Sequence, residues 1–211
     1  QVGVRLGLAP PRPMKGLART AAIRGGDASD PGMARRIPAK ASRASPISVP
    51  ACGRLTFPSM SELASLVRNI PDWPKQGIQF KDITTLLADP EGLREAIEGL
   101  AAPFHGKGVD LVLGTEARGF LFAPAVAMAL NAGVVLARKP GKLPWKTIRE
   151  GYALEYGTDA LEVHLDAVKP GQKVLLVDDL LATGGTMMAA TRLVEKLGGI
   201  VAGCAFLIEL T

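Results

Sequence analysis

Short apolar runs alternate along the chain with segments whose apolar residues recur every three or four positions. Residues 174–177, Val-Leu-Leu-Val, are apolar without interruption, which is typical of a strand buried on both faces of a parallel sheet. Further strands are predicted at residues 110–113, 134–137, 161–165 and 200–210. Together these runs predict one sheet.

Helices are predicted between the strands. One spans Ser61 to about Arg68, and another opens at Asp89-Pro90 with later apolar residues at helical spacing. A third runs from Gly119 to about Leu130, and the last covers residues 187–197 before two glycines stop it. Because strands and helices alternate, the predicted fold class is α/β, a mainly parallel twisted sheet flanked by helices with right-handed crossovers.

Two stretches lack such a pattern. Residues 70–77 contain two prolines and a glycine, which predicts an irregular segment. Residues 138–157 are rich in Gly, Pro and Lys and contain little that would form a stable element. We therefore expect a mobile loop in this second stretch.

Composition narrows the class of protein. With 211 residues, 47% hydrophobic and 21% charged, the chain fits one domain with a substantial core. Residues 120–137 are apolar, but Pro124 and the Asn131-Ala132-Gly133 break divide them, so no membrane partner is expected. The two cysteines show no CxxC spacing, so neither a disulfide framework nor a zinc site is indicated.

The positive charge is concentrated at the N-terminus. Residues 1–58 carry a formal charge of +8, whereas the rest carries −3, so nucleic acid is not expected as a partner of the globular part. We expect residues 1–59 to be a disordered basic leader rich in Pro, Ala and Arg, and residues 60–211 to form the domain. The leader could be an organellar transit peptide, a nucleic-acid-binding arm or translated sequence upstream of a true start at Met60, the last being favoured.

Polar residues follow the predicted strands at positions where a parallel sheet binds ligands. Three candidate segments, residues 116–118, 138–142 and 178–186, fall at the carboxyl ends of strands. Asp178 and Asp179 suit the two hydroxyls of a ribose, and the small residues after them suit an anion nest backed by a helix N-terminus. The basic segments supply charge for a second anionic group. Ribose, 5′-phosphate and a further polyanion together describe phosphoribosyl diphosphate.

Several motifs carry a resemblance to a known family. Residues 177–186, Val-Asp-Asp-Leu-Leu-Ala-Thr-Gly-Gly-Thr, resemble the phosphoribosyl-diphosphate motif of type I phosphoribosyltransferases. Residues 71–84, 116–120, 138–144 and 154–158, the last being Leu-Glu-Tyr-Gly-Thr, are similar in order and spacing to adenine phosphoribosyltransferases. The resemblance covers nearly everything from residue 60 to residue 211.

The resemblance implies an activity. The expected reaction is adenine plus phosphoribosyl diphosphate giving AMP and diphosphate, with Mg²⁺ as cofactor, in purine salvage. It also implies a type I phosphoribosyltransferase-like fold with a small N-terminal hood region and a mobile lid loop, a homodimer, and a cytoplasmic location, or an organellar one if the leader is a genuine transit peptide. No direct protein ligand to Mg²⁺ is expected, except that Asp178 or Asp179 could contribute.

The resemblance also assigns roles to residues. The diphosphate would be bound by Arg118, Arg138, Lys139 and Lys142, with Lys139 a candidate to reach a neighbouring subunit and a cis peptide between Glu116 and Ala117 preceding Arg118. The ribose would be bound by Asp178 and Asp179, and the 5′-phosphate by Ala182, Thr183, Gly184, Gly185 and Thr186. Adenine would lie against Phe80 and near Leu180, read by the backbone around Gln79 and Lys81.

Glu155 matches the acid/base residue proposed for the family. It would exchange a proton with the purine as N9 bonds to C1 of an oxocarbenium-like ribose. Two alternatives remain open. The chain could transfer phosphoribosyl to a 6-oxopurine or orotate, or it could be a non-enzymatic regulator that senses phosphoribosyl diphosphate.

Overall fold

Four parallel strands form the centre of the computed structural model, which describes residues 7–9, 60–154 and 157–210. Helices and paired strands surround this sheet. The elements follow in chain order: β1 (Gly7–Ala9), α1 (Met60–Ser65), β2 (Arg68–Pro71), β3 (Gln79–Asp82), α2 (Thr84–Ala88), α3 (Pro90–Ala101), β4 (Leu111–Thr115), α4 (Gly119–Leu130), β5 (Gly133–Ala137), β6 (Thr147–Leu154), β7 (Gly157–His164), β8 (Lys173–Leu181), α5 (Gly185–Lys196) and β9 (Ile200–Glu209).

The central sheet has the strand order β5-β4-β8-β9, with β1 added antiparallel at the β9 edge. The pairs β5–β4, β4–β8 and β8–β9 are all parallel. The predicted parallel α/β architecture is therefore confirmed. The strand at residues 7–9 was not indicated by the sequence pattern, and the rest of the predicted leader lies outside the described residues.

The core lies on both faces of this sheet. Leu175 and Val177 of β8 face one cluster with Phe122 and Val126 of α4. Val174 and Leu176 face the opposite cluster with α5. All four β8 residues are fully buried, which explains why this strand shows no polar alternation.

Several predicted boundaries hold closely. Helix α3 begins at Pro90, where Asp89 caps it by accepting a hydrogen bond of 2.7 Å from the Gly92 N–H. Helix α4 spans Gly119–Leu130, and α5 spans Gly185–Lys196. The carboxylates Asp178 and Asp179, which were expected to close the strand, lie within β8, which extends to Leu181.

Two antiparallel hairpins, β2–β3 and β6–β7, lie outside the central sheet. Strands β2 and β3 pair on either side of residues 72–78, so the predicted irregular segment 70–77 is irregular except at Ile70 and Pro71, which belong to β2. Strands β6 and β7 pair from Thr147 to His164, so the prediction that residues 138–157 contain little that would form a stable element was wrong for residues 147–154. The strand predicted at residues 161–165 belongs to this separate two-stranded sheet and not to the central one. Strand β6 is anchored by Ile148 and Tyr152, which lie on one side of it and pack against the second core cluster.

No helix in the described part of the chain combines the length and the apolar character needed to cross a bilayer.

Candidate functional site

One cavity of about 340 Å³ opens at the carboxyl ends of the central strands. Its lining combines the end of β8, the loop that follows it and the segment after β4. The lining residues are Glu116, Ala117, Arg118, Lys139, Tyr152, Asp159, and 178–187. The three segments singled out in the sequence therefore meet at one place, as the parallel topology requires.

The loop at residues 182–186 connects β8 to α5 and lines the cavity along its whole length. Gly184 has a φ of +82° and forms the N-cap of α5, a left-handed conformation that side chains rarely adopt. The first helical hydrogen bond runs from the Met188 N–H to the Gly184 carbonyl over 2.9 Å. The loop thus leads straight into a helix N-terminus, the end that favours an anion.

Asp178 and Asp179 form an adjacent pair in the cavity lining, with Asp179 buried and Asp178 half-buried. The Asp179 N–H donates to Oδ1 of Asp178 over 2.9 Å, and Asp179 is only 4% exposed. Burial raises the pKa of Asp178 to about 7, with repulsion from Asp179 adding to the rise and contacts to Thr115 and the Asp179 N–H opposing it. Burial also raises the pKa of Asp179, against the attraction of Arg118.

Arg118 connects two parts of the site. Its Nε lies 2.9 Å from Oδ2 of Asp179, a close ionic contact. Its guanidinium carbon lies 5.5 Å from the centroid of the Phe80 ring, within the range of a cation–π contact. The peptide between Glu116 and Ala117 is cis, as the resemblance implied.

Gly119 permits the close approach that places Arg118. A Cβ atom built at this position would lie 2.8 Å from the Val177 carbonyl oxygen and 2.9 Å from Oγ1 of Thr115. Any larger residue would push the start of α4 away from β8. The glycine of the Glu-Ala-Arg-Gly segment is therefore required by packing.

Glu116 organises the basic segment that follows β5. Its Oε2 accepts from Nε of Arg138 over 3.2 Å and from the Lys139 N–H over 3.0 Å, and its Oε1 accepts from Nζ of Lys142 over 2.5 Å. Burial alone would raise the pKa of Glu116, but these hydrogen bonds outweigh it and lower the pKa to about 2. Glu116 is therefore ionised at neutral pH.

Lys139 belongs to a second cluster. Its Nζ lies 2.8 Å from Oδ2 of Asp159. The same oxygen accepts from the Tyr152 hydroxyl over 3.3 Å, and Oδ1 accepts from the Ala160 N–H over 2.8 Å. Tyr152 and Asp159 are cross-strand neighbours in the β6–β7 hairpin. Lys139 thus pairs with Asp159, a carboxylate of its own chain.

The residues predicted to bind a base lie on two elements. Gln79, Phe80 and Lys81 belong to β3, where the Phe80 ring packs edge-on against Trp73 with centroids 4.4 Å apart. Leu180 lies in β8 and lines the cavity. Arg118 bridges the two groups, because it contacts Phe80 and also lines the cavity.

Not every predicted residue lines the cavity. Arg138, Lys142, Gln79, Phe80 and Lys81 are outside its lining. Glu155 lies outside the described residues, in the sequence between β6 and β7. Within the described ranges, no cluster of three or more potential metal ligands occurs.

Among the lining residues without a predicted role, three are polar or charged: Glu116, whose segment 116–118 was singled out, Tyr152 and Asp159. Glu116 could have been found, because acidic and basic side chains at the ends of two neighbouring parallel strands are expected to meet. Thr115 pairs directly with Ala137 in the register of β4 and β5, which brings Glu116 beside Arg138. Tyr152 and Asp159 gave no such signal, since Tyr152 lies in β6, which was not predicted, and Asp159 lies in β7 before the strand predicted at residues 161–165.

Comparison with known proteins gives consistent results. The family model described as a phosphoribosyl transferase domain matches residues 83–210. An adenine phosphoribosyltransferase from Acidobacterium capsulatum is 61% identical over 148 residues, which cover 70% of this chain and 82% of that protein.

Solved structures agree with these sequence matches. The crystal structure of adenine phosphoribosyltransferase from Rhodothermus marinus is 54% identical, with a TM-score of 0.68 over 71% of this chain and 85% of that one. The Saccharomyces cerevisiae enzyme, crystallised with an imino-altritol bisphosphate and adenine, is 37% identical, with a TM-score of 0.68 over 71% of this chain and 88% of that one. The chain therefore belongs to the phosphoribosyltransferase family and, within it, to the adenine phosphoribosyltransferases.

Proposed function

We propose that this protein transfers the phosphoribosyl group from phosphoribosyl diphosphate to adenine and forms AMP and diphosphate. One observation carries the proposal. A single cavity joins a loop suited to an anion, a pair of adjacent carboxylates and Arg118, and Arg118 contacts the aromatic ring expected to face the base. The yeast relative was crystallised with adenine, which favours this base.

On the donor side, the loop 182–186 binds the 5′-phosphate through backbone N–H groups and threonine hydroxyls. Asp178 and Asp179 accept hydrogen bonds from the ribose 2′ and 3′ hydroxyls. Their position supports this role, because both carboxylates line the cavity next to the loop.

Four cations serve the diphosphate group in this proposal: Arg118, Arg138, Lys139 and Lys142. Arg118 and Lys139 line the cavity, whereas Arg138 and Lys142 lie beside it and are held by Glu116. Cations placed here stabilise the charge that develops on the leaving group as its bond to C1 breaks.

On the acceptor side, adenine lies against Phe80 and near Leu180, and the backbone around Gln79 and Lys81 reads its edge. Stacking of the base on Phe80 would add to the Trp73 contact already present on that ring. The choice of adenine thus depends on β3, which belongs to a different sheet from the donor loop.

The transfer passes through an oxocarbenium-like ribose, from which water must be excluded. Glu155 exchanges the purine proton in this proposal. The proposed lid is limited to residues 138–146, because β6 pairs with β7 and packs against the second core cluster. Mg²⁺ fits the site because Asp178 and Asp179 offer carboxylate oxygens, the ligand type it prefers, and when bound it would neutralise diphosphate charge together with the substrate's own oxygens.

We also propose a homodimer. Leu121 and Met128 of α4 are exposed on one side of the helix, with Met128 84% exposed. Val134 and Leu136 of the edge strand β5 are exposed on the same face of the sheet, since Val135 points to the other face. Exposed large apolar side chains on two neighbouring elements favour association. A cytoplasmic location belongs to the same proposal, and the bacterial relatives favour it.

Base selectivity tests the proposed reaction. The purified protein would be incubated with phosphoribosyl diphosphate, Mg²⁺ and one base at a time, and diphosphate release would be followed. We expect turnover with adenine and at least 10²-fold lower kcat/KM with hypoxanthine, guanine or orotate, the scale reached when buried polar groups of a site lose their partners. A preference for any of the other three bases would contradict the assignment.

A further inference from the structure

Each cationic side chain predicted for the diphosphate contacts a carboxylate of the protein itself. The pairs are Arg118 with Asp179, Arg138 and Lys142 with Glu116, and Lys139 with Asp159. In the Lys139–Asp159 pair, both partners line the cavity and the carboxylate has no role in the proposed reaction. Asp159 is therefore an unexplained negative charge in the wall of a cavity built for a polyanion.

The two partners of this pair differ in how firmly they are held. Asp159 accepts hydrogen bonds from the Ala160 N–H over 2.8 Å and from the Tyr152 hydroxyl over 3.3 Å, and both donors belong to the β6–β7 hairpin. The Lys139 side chain is 51% exposed, and apart from Asp159 no other hydrogen-bond acceptor for its Nζ occurs among the described residues. Asp159 is thus the fixed partner, and Lys139 is the one free to move on its flexible stem.

A fixed carboxylate at this place acts on diphosphate in two ways. It repels the polyanion directly, because two negative groups share one cavity. It also competes with diphosphate for the Lys139 ammonium, which can form a close ion pair with only one of these two anions at a time. Both effects weaken the binding of diphosphate.

We propose that Asp159 is a positioning residue that holds Lys139 at the cavity wall and competes with diphosphate for it, which lowers the affinity for this product and speeds its release. When the cavity is empty, Lys139 lies on Asp159. When the donor binds, its diphosphate takes the ammonium from Asp159, and Lys139 returns as the product leaves. The inference rests on the proposed function, since it assigns the cavity to diphosphate.

The test measures the affinity for inorganic diphosphate with Mg²⁺ by isothermal titration calorimetry. Asp159→Asn keeps the shape of the side chain and removes its charge. We expect it to lower the Kd for diphosphate on the order of threefold to tenfold, the scale of one partly exposed ion pair and one repelling charge. Product inhibition by diphosphate should strengthen by a similar factor, and kcat should fall if product release limits turnover.

Two further variants make the result specific. In a Lys139→Met background, Asp159→Asn should give a clearly smaller gain, because no ammonium remains to be contested. Asp166→Asn is the control, since Asp166 is an exposed carboxylate on the loop after β7 and lies outside the cavity lining. It removes the same formal charge and should leave the Kd unchanged.

Unchanged or weaker diphosphate binding by Asp159→Asn would overturn the inference, as would an equal gain in the Lys139→Met background. Asp159→Ala provides the same test if the asparagine variant does not fold. AMP formation by the wild-type protein is scored separately. A protein that makes AMP but shows no gain on Asp159→Asn refutes this inference alone, whereas a protein that binds no diphosphate refutes the proposed function.

Discussion

Glu116 offers the sharpest test of how the basic segment is built. Its carboxylate, 10% exposed, contacts the side chains of Arg138 and Lys142 and the backbone N–H of Lys139. Glu116→Gln preserves size but removes the charge and leaves one oxygen to accept hydrogen bonds. The variant should therefore release at least one of the two cationic side chains and loosen the segment.

The expected magnitude follows from these contacts. Arg138 and Lys142 are 32% and 47% exposed, so each ion pair is discounted to about 0.5–1 kcal/mol, and the backbone hydrogen bond adds about 1 kcal/mol. A loss of about 2 kcal/mol corresponds to a Tm lower by roughly 4–8 °C for a chain of this size. If the displaced cations cost the donor about 1.4 kcal/mol of binding, its KM rises about tenfold.

Steady-state kinetics with varied phosphoribosyl diphosphate, together with thermal unfolding, would measure both effects. Because the cations contact the donor before and during the reaction, KM should change more than kcat. Glu162→Gln is a matched control, since Oε2 of Glu162 accepts one hydrogen bond, from the Gly141 N–H over 3.1 Å, in the same segment. If Glu116→Gln changed KM and Tm no more than this control does, Glu116 would not hold the basic segment.

Other predictions concern the proposed reacting groups. Glu155→Ala should lower kcat by roughly 10²-fold or more without altering the Tm, and unchanged turnover would remove Glu155 from the mechanism. The double variant Asp178→Asn, Asp179→Asn should chiefly weaken phosphoribosyl-diphosphate binding, and calorimetry that returned the wild-type Kd would contradict the ribose assignment. Burial raises the pKa of Asp178 from 3.8 to about 7, so the folded state binds this proton more tightly than the unfolded state. The stabilisation by this proton is complete below about pH 4 and is lost as the pH rises towards 7. The Tm of the wild type should therefore fall over this range, and the Tm of Asp178→Asn should fall less. Parallel Tm profiles of the two proteins would show that Asp178 titrates normally.

The central sheet could be predicted because its strands have simple patterns. Residues 174–177 are apolar at every position, and the structure shows why: alternate residues face core clusters on opposite sides. The predicted bounds of α3, α4 and α5 agree with the observed ones within a few residues. Asp89-Pro90 at the start of α3 and the glycine pair after α5 are strong local signals for a helix start and a helix end.

The β6–β7 hairpin could not be predicted in the same way. Strand β6 contains Gly151 and the charged pair Arg149-Glu150, so its pattern gives a weak strand signal. Glu150 is satisfied only through tertiary structure, by Arg192 and Lys196 of α5. Because the hairpin was missed, the contribution of Tyr152 and Asp159 to the cavity was missed as well.

The candidate site also has a part that could be predicted from the sequence and a part that could not. Residues 178–186 were found because they form one contiguous motif at the end of a predicted strand. Arg118 was found because its short segment follows another predicted strand. The pairing of each cation with its own carboxylate depends on register, such as Thr115 opposite Ala137, and on side-chain reach. Only the pairing of Glu116 with Arg138 could have been anticipated, because both residues follow neighbouring parallel strands. The other pairings become definite only in the fold.

Formation of AMP tests the central claim most directly. The full chain, given adenine, phosphoribosyl diphosphate and Mg²⁺, should convert them to AMP and diphosphate in equal amounts, with diphosphate release absent when adenine is withheld. Diphosphate release that does not depend on adenine, or tight binding of phosphoribosyl diphosphate without any AMP, would contradict the account.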